Sequence, residues 1–282
     1  MATTQQKKVA PKKSSEGFTG VRNAFWIIVV CFVIAVCFFK FFLGMPDHFV
    51  NGDPTGAVKD SNIWGTIYKG GVVVPLIHTL LLTVIALSIE RILALRTAFG
   101  KGALPKFTAN IKDALKANDF DKAFKLCNQQ KGSVANVVLA SLNAYKDMES
   151  GANAALKKSQ KVAKIQQAHE EATQLEMPTL TMNLPIIATI VTLGTLTGLL
   201  GTVTGMIRSF AALAAGGGGD SLALSTGISE ALINTAFGIA TSWCAVVSYN
   251  YFTNKIDKLT YALDEVGYTI AQTYEANHAD EA

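Results

Sequence analysis

The sequence predicts an all-α integral membrane protein with four transmembrane helices and one helical cytoplasmic domain. Three observations carry that prediction. Half of the 282 residues are hydrophobic and only 16% are charged, whereas a soluble domain carries about 25% charged residues. The apolar residues come in blocks long enough to cross about 30 Å of hydrocarbon as helices. Lysines and arginines gather just beyond the ends of those blocks.

Residues 1–23 are polar and basic, with Lys7, Lys8, Lys12, Lys13 and Arg22. They offer nothing for a core and predict a disordered cytoplasmic tail. Residues 24–43 are almost wholly apolar and form the first span; Lys40, near its end, can snorkel to the interface. A cleaved signal peptide is the rival reading. The run is long for one and no Ala-x-Ala site follows it, so a retained span is expected. Residues 44–71, with Pro46, Gly52, Pro54 and Gly56, predict a polar periplasmic loop poor in Lys and Arg. Residues 72–95 are the second span, with Pro75 suited to its first turn. Glu90 and Arg91 mark its exit, and Arg96, Lys101 and Lys106 place the following chain inside.

Residues 96–183 predict a helical cytoplasmic domain. Phe120, Ala123, Phe124 and Cys127 recur at helical spacing, with Asp119 as an N-cap and Gly132 as a stop. Residues 134–148 repeat the pattern, and the Ala-, Lys- and Glu-rich residues 152–177 predict one long helix. Pro178 and Pro185 are expected to bend or interrupt the chain on its way into the third span, 184–215. A Gly-rich periplasmic turn, 216–221, leads to the fourth span, 222–252. An amphipathic cytoplasmic helix and tail, 253–282, carries Ile256, Leu259, Leu263 and Val266. Both termini then lie in the cytoplasm.

Several functions are disfavoured. The net charge of +4 is modest and forms no aromatic-interleaved basic face, so no nucleic-acid partner is expected. The four cysteines make no CxxC pair and the four histidines are scattered, so neither a metal nor another cofactor is expected. No phosphate-binding glycine loop, nucleophile elbow or nucleophile–base set is visible, and an enzyme is not expected. Membrane lipid is the one small-molecule partner the composition implies.

The third and fourth spans are unusual. Thr195, Gly198, Thr202, Gly205 and Ser209 form one stripe of small or hydroxyl residues. Gly227, Ala231, Thr235, Gly238, Ser242 and Ala245 form another. Small residues let helices pack closely in lipid, and a line of hydroxyls can also face a polar lumen; the sequence leaves both readings open. Arg208 and Glu230 are the only charge-bearing side chains in these two spans. An intramembrane charge marks a functional site by default. Glu230, one turn before Thr235, is placed in the same lumen, at the water interface, or in an ion pair with Arg208. No carboxylate or histidine stands at mid-span, so a central proton-carrying group would have to come from a partner.

The stretches Gly198-Leu-Leu-Gly-Thr-Val-x-Gly-Met-Ile-x-Ser-Phe210 and Gly227-Ile-Ser-Glu-Ala-Leu-Ile-x-Thr-Ala-x-Gly238 closely resemble the two signatures of the MotA/TolQ/ExbB proton-channel family, most of all its ExbB branch. The likeness covers roughly residues 65–260. It implies a homopentamer around a pore that holds single helices of an ExbD- or TolR-like partner. It further implies a partner aspartate that titrates beside Thr202 and Thr235, and a motion passed to a TonB-like energy transducer in the inner membrane. The proton-pathway and pore-lining set expected from it is Thr202, Thr235, Glu230, Thr195, Gly198, Gly205, Asn234 and Gly238. The chain departs from the family pattern at Thr195-Leu196, which stand where Ala-Pro is common, and at Thr204, where tryptophan is common. Asn234 replaces a small apolar residue, and the span at 24–43 is additional to the three-span core.

Overall fold

The computed structural model describes residues 20–21, 23–54, 56–59, 62–150, 153, 156–215 and 221–278. The expected basic tail up to residue 19, most of the Gly-rich turn (216–220) and the last four residues lie outside them. The described residues form nine α-helices: α1 (Ala24–Cys37), α2 (Ile63–Lys69), α3 (Val73–Phe99), α4 (Leu104–Lys116), α5 (Phe120–Gln130), α6 (Gly132–Glu149), α7 (Lys158–Thr181), α8 (Leu184–Ala215) and α9 (Ser221–Asn277). Four helical stretches are long and apolar enough to cross a membrane. The chain is a multi-span, all-helical membrane protein. It divides into two compact units, one of Met1–Gly20, Ile92–Met182 and Asn254–Ala282 and the other of Val21–Arg91 and Asn183–Thr253.

The second of these units holds the spans. In α1 the buried residues are Ala24, Cys31 and Ala35, whereas Phe25, Trp26 and Val33 stand exposed. Small residues inside and large ones outside suit a lipid-facing helix, where close backbone approach replaces the hydrophobic drive. The expected polar loop at 44–71 is more structured than its composition implied. The chain leaves α1 through a π-helical turn, Phe38–Leu43. It then pairs Phe49 with Val58 in an isolated antiparallel bridge and enters α2, whose N-terminus Asn62 caps by accepting from Gly65 N–H at 3.1 Å. Leu43, Ile67 and Val74 form a buried cluster here, with Phe39, Tyr68, Ile233 and Phe237 packed on it.

The α7–α8 junction sits elsewhere than at either proline. α7 runs through Pro178, and the break falls at Met182–Asn183, where Asn183 has φ +64°. Pro185 then occupies the first turn of α8, which needs no N–H there. Asn183 also ties the unit together. Its Nδ2 donates to Val21 O at 3.1 Å and to Glu90 Oε2 at 3.3 Å. Glu90 further accepts from Val21 N–H at 2.9 Å and from Arg91 Nε at 2.6 Å. The Glu90–Arg91 pair is buried, and a buried pair is tolerable only when its remaining lone pairs are satisfied in this way.

The other unit is the helical domain of α4–α7 with the end of α9. Asp119 caps α5 by accepting from Lys122 N–H at 2.9 Å, and the helix stops at Lys131 and Gly132, both with positive φ. α7 begins at Lys158 rather than at Ala152. Lys157 just before it is extended, and residues 152, 154 and 155 of the expected helix lie outside the described residues. Cys127 is buried and its thiol is pushed up to about 12 by desolvation, so it remains an inert core group. His169 is buried against Ser141, with Nδ1 2.9 Å from Oγ, and burial holds its pKa below the ordinary histidine value. Ile256, Leu259, Leu263 and Val266 are all buried, as their spacing predicted. The sequence placed a span and a separate helix here, but α9 is uninterrupted, because neither Gly nor Pro occurs between Gly238 and Gly267 to break it.

Candidate functional site

The site is the seam between α8 and α9. Glycine brings the two backbones together in antiparallel order. A Cβ added at Gly238 would stand 2.7 Å from Gly194 O and from Gly198 Cα. One at Gly205 would stand 3.1 Å from Gly227 O and from the Ala231 methyl. Gly198, Gly205 and Gly238 are buried between these two helices. They make the packing surface, so the glycine part of the stripe does not itself line an open face.

The hydroxyls stand at one edge of this contact. Thr202 Oγ1 and Thr235 Oγ1 are hydrogen-bonded to each other across the seam. Thr202 Oγ1 also reaches Gly198 O at 3.2 Å, and Thr235 Oγ1 reaches Ala231 O at 3.2 Å. Seven residues away on each helix, Thr195 Oγ1 donates to Ser242 Oγ at 2.8 Å. Two hydroxyl bridges thus lie one above the other, about 10 Å apart at the rise of an α-helix. Thr195 is exposed, and Thr202, Thr235 and Ser242 are half-buried. Each hydroxyl has one proton and two lone pairs. With protons committed to backbone carbonyls or to each other, the bridges keep acceptor capacity at the open edge. They can also turn to donate, so they can bond a carboxyl group in either protonation state without titrating.

Glu230 and Asn234 do not join that edge. Glu230 and Thr235 are five positions apart, which at 100° per residue turns them well apart on the helix. Glu230 instead pairs with Arg208, Oε1 to Nη1 at 3.0 Å. The pair lies in an open cleft of about 670 Å³, also lined by Lys69, Ser225, Thr226 and Ser229. Asn234 is buried against Gly201 and donates from Nδ2 to Gly70 O at 2.9 Å. Of the eight residues expected at the site, the structure therefore brings Thr195, Thr202 and Thr235 to one edge. It puts Gly198, Gly205 and Gly238 in the packed seam, and Glu230 and Asn234 on the opposite edge. Ser242 is the hydroxyl left out of the expected set; its place in the α9 stripe was the available signal. Among the described residues, no three His, Cys, Asp or Glu side chains group as metal ligands.

Comparison with known proteins agrees with this core. Residues 133–265 match the model of the MotA/TolQ/ExbB proton channel family. The chain is 25% identical over 201 residues to an ExbB homolog of Methanothermobacter thermautotrophicus, covering 70% of this chain and 66% of that protein. It is 26% identical over 206 residues to the biopolymer transport protein ExbB of Pseudomonas putida, 71% of this chain and 60% of that protein. Against the Tol-Pal system protein TolQ of Pseudomonas aeruginosa it is 33% identical over 114 residues, 40% of this chain and 47% of that protein. The matches span less than two thirds of the length of each of these relatives. The matched segment contains α8 and the whole hydroxyl edge of α9, and over it the chain is similar to the MotA/TolQ/ExbB proton channel family and most of all to its ExbB members.

Proposed function

We propose that this chain is the ExbB-type subunit of a motor driven by the proton-motive force in the inner membrane, with both termini in the cytoplasm. Five copies surround single helices of an ExbD- or TolR-like partner. A partner aspartate takes up and releases protons against the hydroxyl edge, and the motion passes to a TonB-like transducer that energises outer-membrane transport.

The observation that carries this reading is the pair of hydroxyl bridges, Thr195–Ser242 and Thr202–Thr235, in two spans whose only charge-bearing residues are Arg208 and Glu230. The edge can bond a carboxyl group in both states, and the chain supplies no such group at that depth. A partner must. The likeness to TolQ supports a second client, a TolA-type transducer for envelope maintenance, through the same proton step.

Co-expression and co-purification with an ExbD- or TolR-like single-span protein tests the assembly. Native mass spectrometry is expected to give five copies of this chain with two of the partner. A closed assembly of this chain that excludes the partner would make the small stripes a packing device and the protein a scaffold.

A further inference from the structure

We infer that Arg208 is a positioning residue, which holds the Glu230 carboxylate as a latch over Gly71, the turn that feeds α3, and that Glu230 acts through this latch rather than as a member of the hydroxyl edge.

Three contacts converge on two glycines. Gly71 has φ +72°, a conformation that glycine adopts freely. A Cβ there would stand 2.6 Å from Glu230 Oε1 and 3.1 Å from Arg208 Nη1, so the ion pair rests directly on its α-carbon. One turn along α9, Asn234 Nδ2 holds Gly70 O at 2.9 Å. The polar residues that set α8 and α9 apart from plain lipid-facing helices, Arg208, Glu230 and Asn234, thus share one target. They fasten the start of α3, and α2 before it, to the α8–α9 hairpin. Glu230 is shielded from solvent, with only 12% of its side chain exposed, while Arg208 is 58% exposed. The acid is thus the held member and the arginine the outer clasp. Lys69 lines the same cleft and is the other cation near the carboxylate. The contact is a single N–H to one oxygen, so it needs a cation of the right reach and not the two-pronged guanidinium geometry.

The consequence for transport rests on the proton-driven reading above; the latch itself does not. Hydrogen exchange on the purified chain in detergent separates the two. An ion pair of this exposure contributes up to about 1 kcal/mol, or roughly fivefold in a local opening equilibrium. Arg208→Met and Glu230→Met are each expected to raise deuterium uptake of residues 62–74 about fivefold. The double variant is expected to match either single one, and Arg208→Lys to stay within about twofold of the parent. Opening by Glu230→Met without opening by Arg208→Met, or a double variant that multiplies the two effects, would overturn the latch. In cells, protonophore-sensitive transport is expected to fall alike in both Met variants and to survive in Arg208→Lys. Normal transport in Arg208→Met with a defect in Glu230→Met would make Glu230 an independent group. Should the parent protein show no protonophore-sensitive transport, the motor reading fails while the exchange result still decides the latch.

Discussion

Thr202→Val and Thr235→Val are each expected to abolish energy-dependent uptake while leaving the complex assembled. Valine keeps the branched shape of threonine and removes only the hydroxyl. The structural loss is small, because one neutral hydrogen bond contributes about 0.5–1.5 kcal/mol net. The Gly194, Gly198, Gly205 and Gly238 contacts that hold α8 to α9 remain untouched. The functional loss is larger. A hydrogen bond to a charged group is worth about 1.5–3 kcal/mol, so an ionised partner carboxyl deprived of it is disfavoured by roughly ten- to a hundredfold at each passage. Uptake through a TonB-dependent transporter, with and without a protonophore, measures the effect, and size-exclusion chromatography with the partner checks assembly. Normal uptake in both variants would remove the hydroxyl edge from the proton step.

Gly238→Val is expected to have the largest effect on the fold. The new side chain would meet Gly194 O, Gly198 Cα and Gly198 N, at 2.7, 2.7 and 3.0 Å from its Cβ. All three are backbone atoms of α8, so no side chain can turn aside and the helices must separate. Overpacking costs about 1–3 kcal/mol where side chains can adjust, and here the cost lies at or above the top of that range. Separation would also part Thr202 from Thr235. The expected outcome is a lower melting temperature in detergent and loss of the monodisperse species. Leu232→Val, at a position 63% exposed on α9, is expected to behave as the parent. An unchanged melt for Gly238→Val would mean that the seam is not closed as described.

Much of this was legible in the residues, for reasons that differ by element. The four spans were readable because lipid requires about 20 apolar residues in a row. Thr195, Thr202 and Thr235 were readable because helical spacing fixes which residues share a face. Glu230 was less so. Standing one turn before Thr235, it looked like a neighbour, yet the five-residue step turned it to the far edge, where Arg208 and Gly71 receive it. Its partner there is Gly71 in a positive-φ turn, a contact that no periodicity in α9 encodes. The segment 44–71 misled for a related reason. Its glycines, prolines and aspartates read as a loop, while Ile67 and Tyr68 join a core built with Leu43, Val74 and, from α9, Ile233 and Phe237, and Phe49 packs edge-on against Tyr68. The two prolines drew attention to the α7–α8 junction, but the break was placed by Asn183, whose amide serves Glu90 and Val21.

The central claim is that the hydroxyl edge faces a carboxyl group supplied by another protein. Disulfide cross-linking tests it most directly. Thr235→Cys or, as control, Leu232→Cys is introduced into a version of the chain lacking Cys31, Cys37, Cys127 and Cys244, and paired with a cysteine in place of the partner's membrane aspartate. The account predicts a cross-link from residue 235 and none from residue 232. A partner that links to residue 232 and never to residue 235 would contradict it.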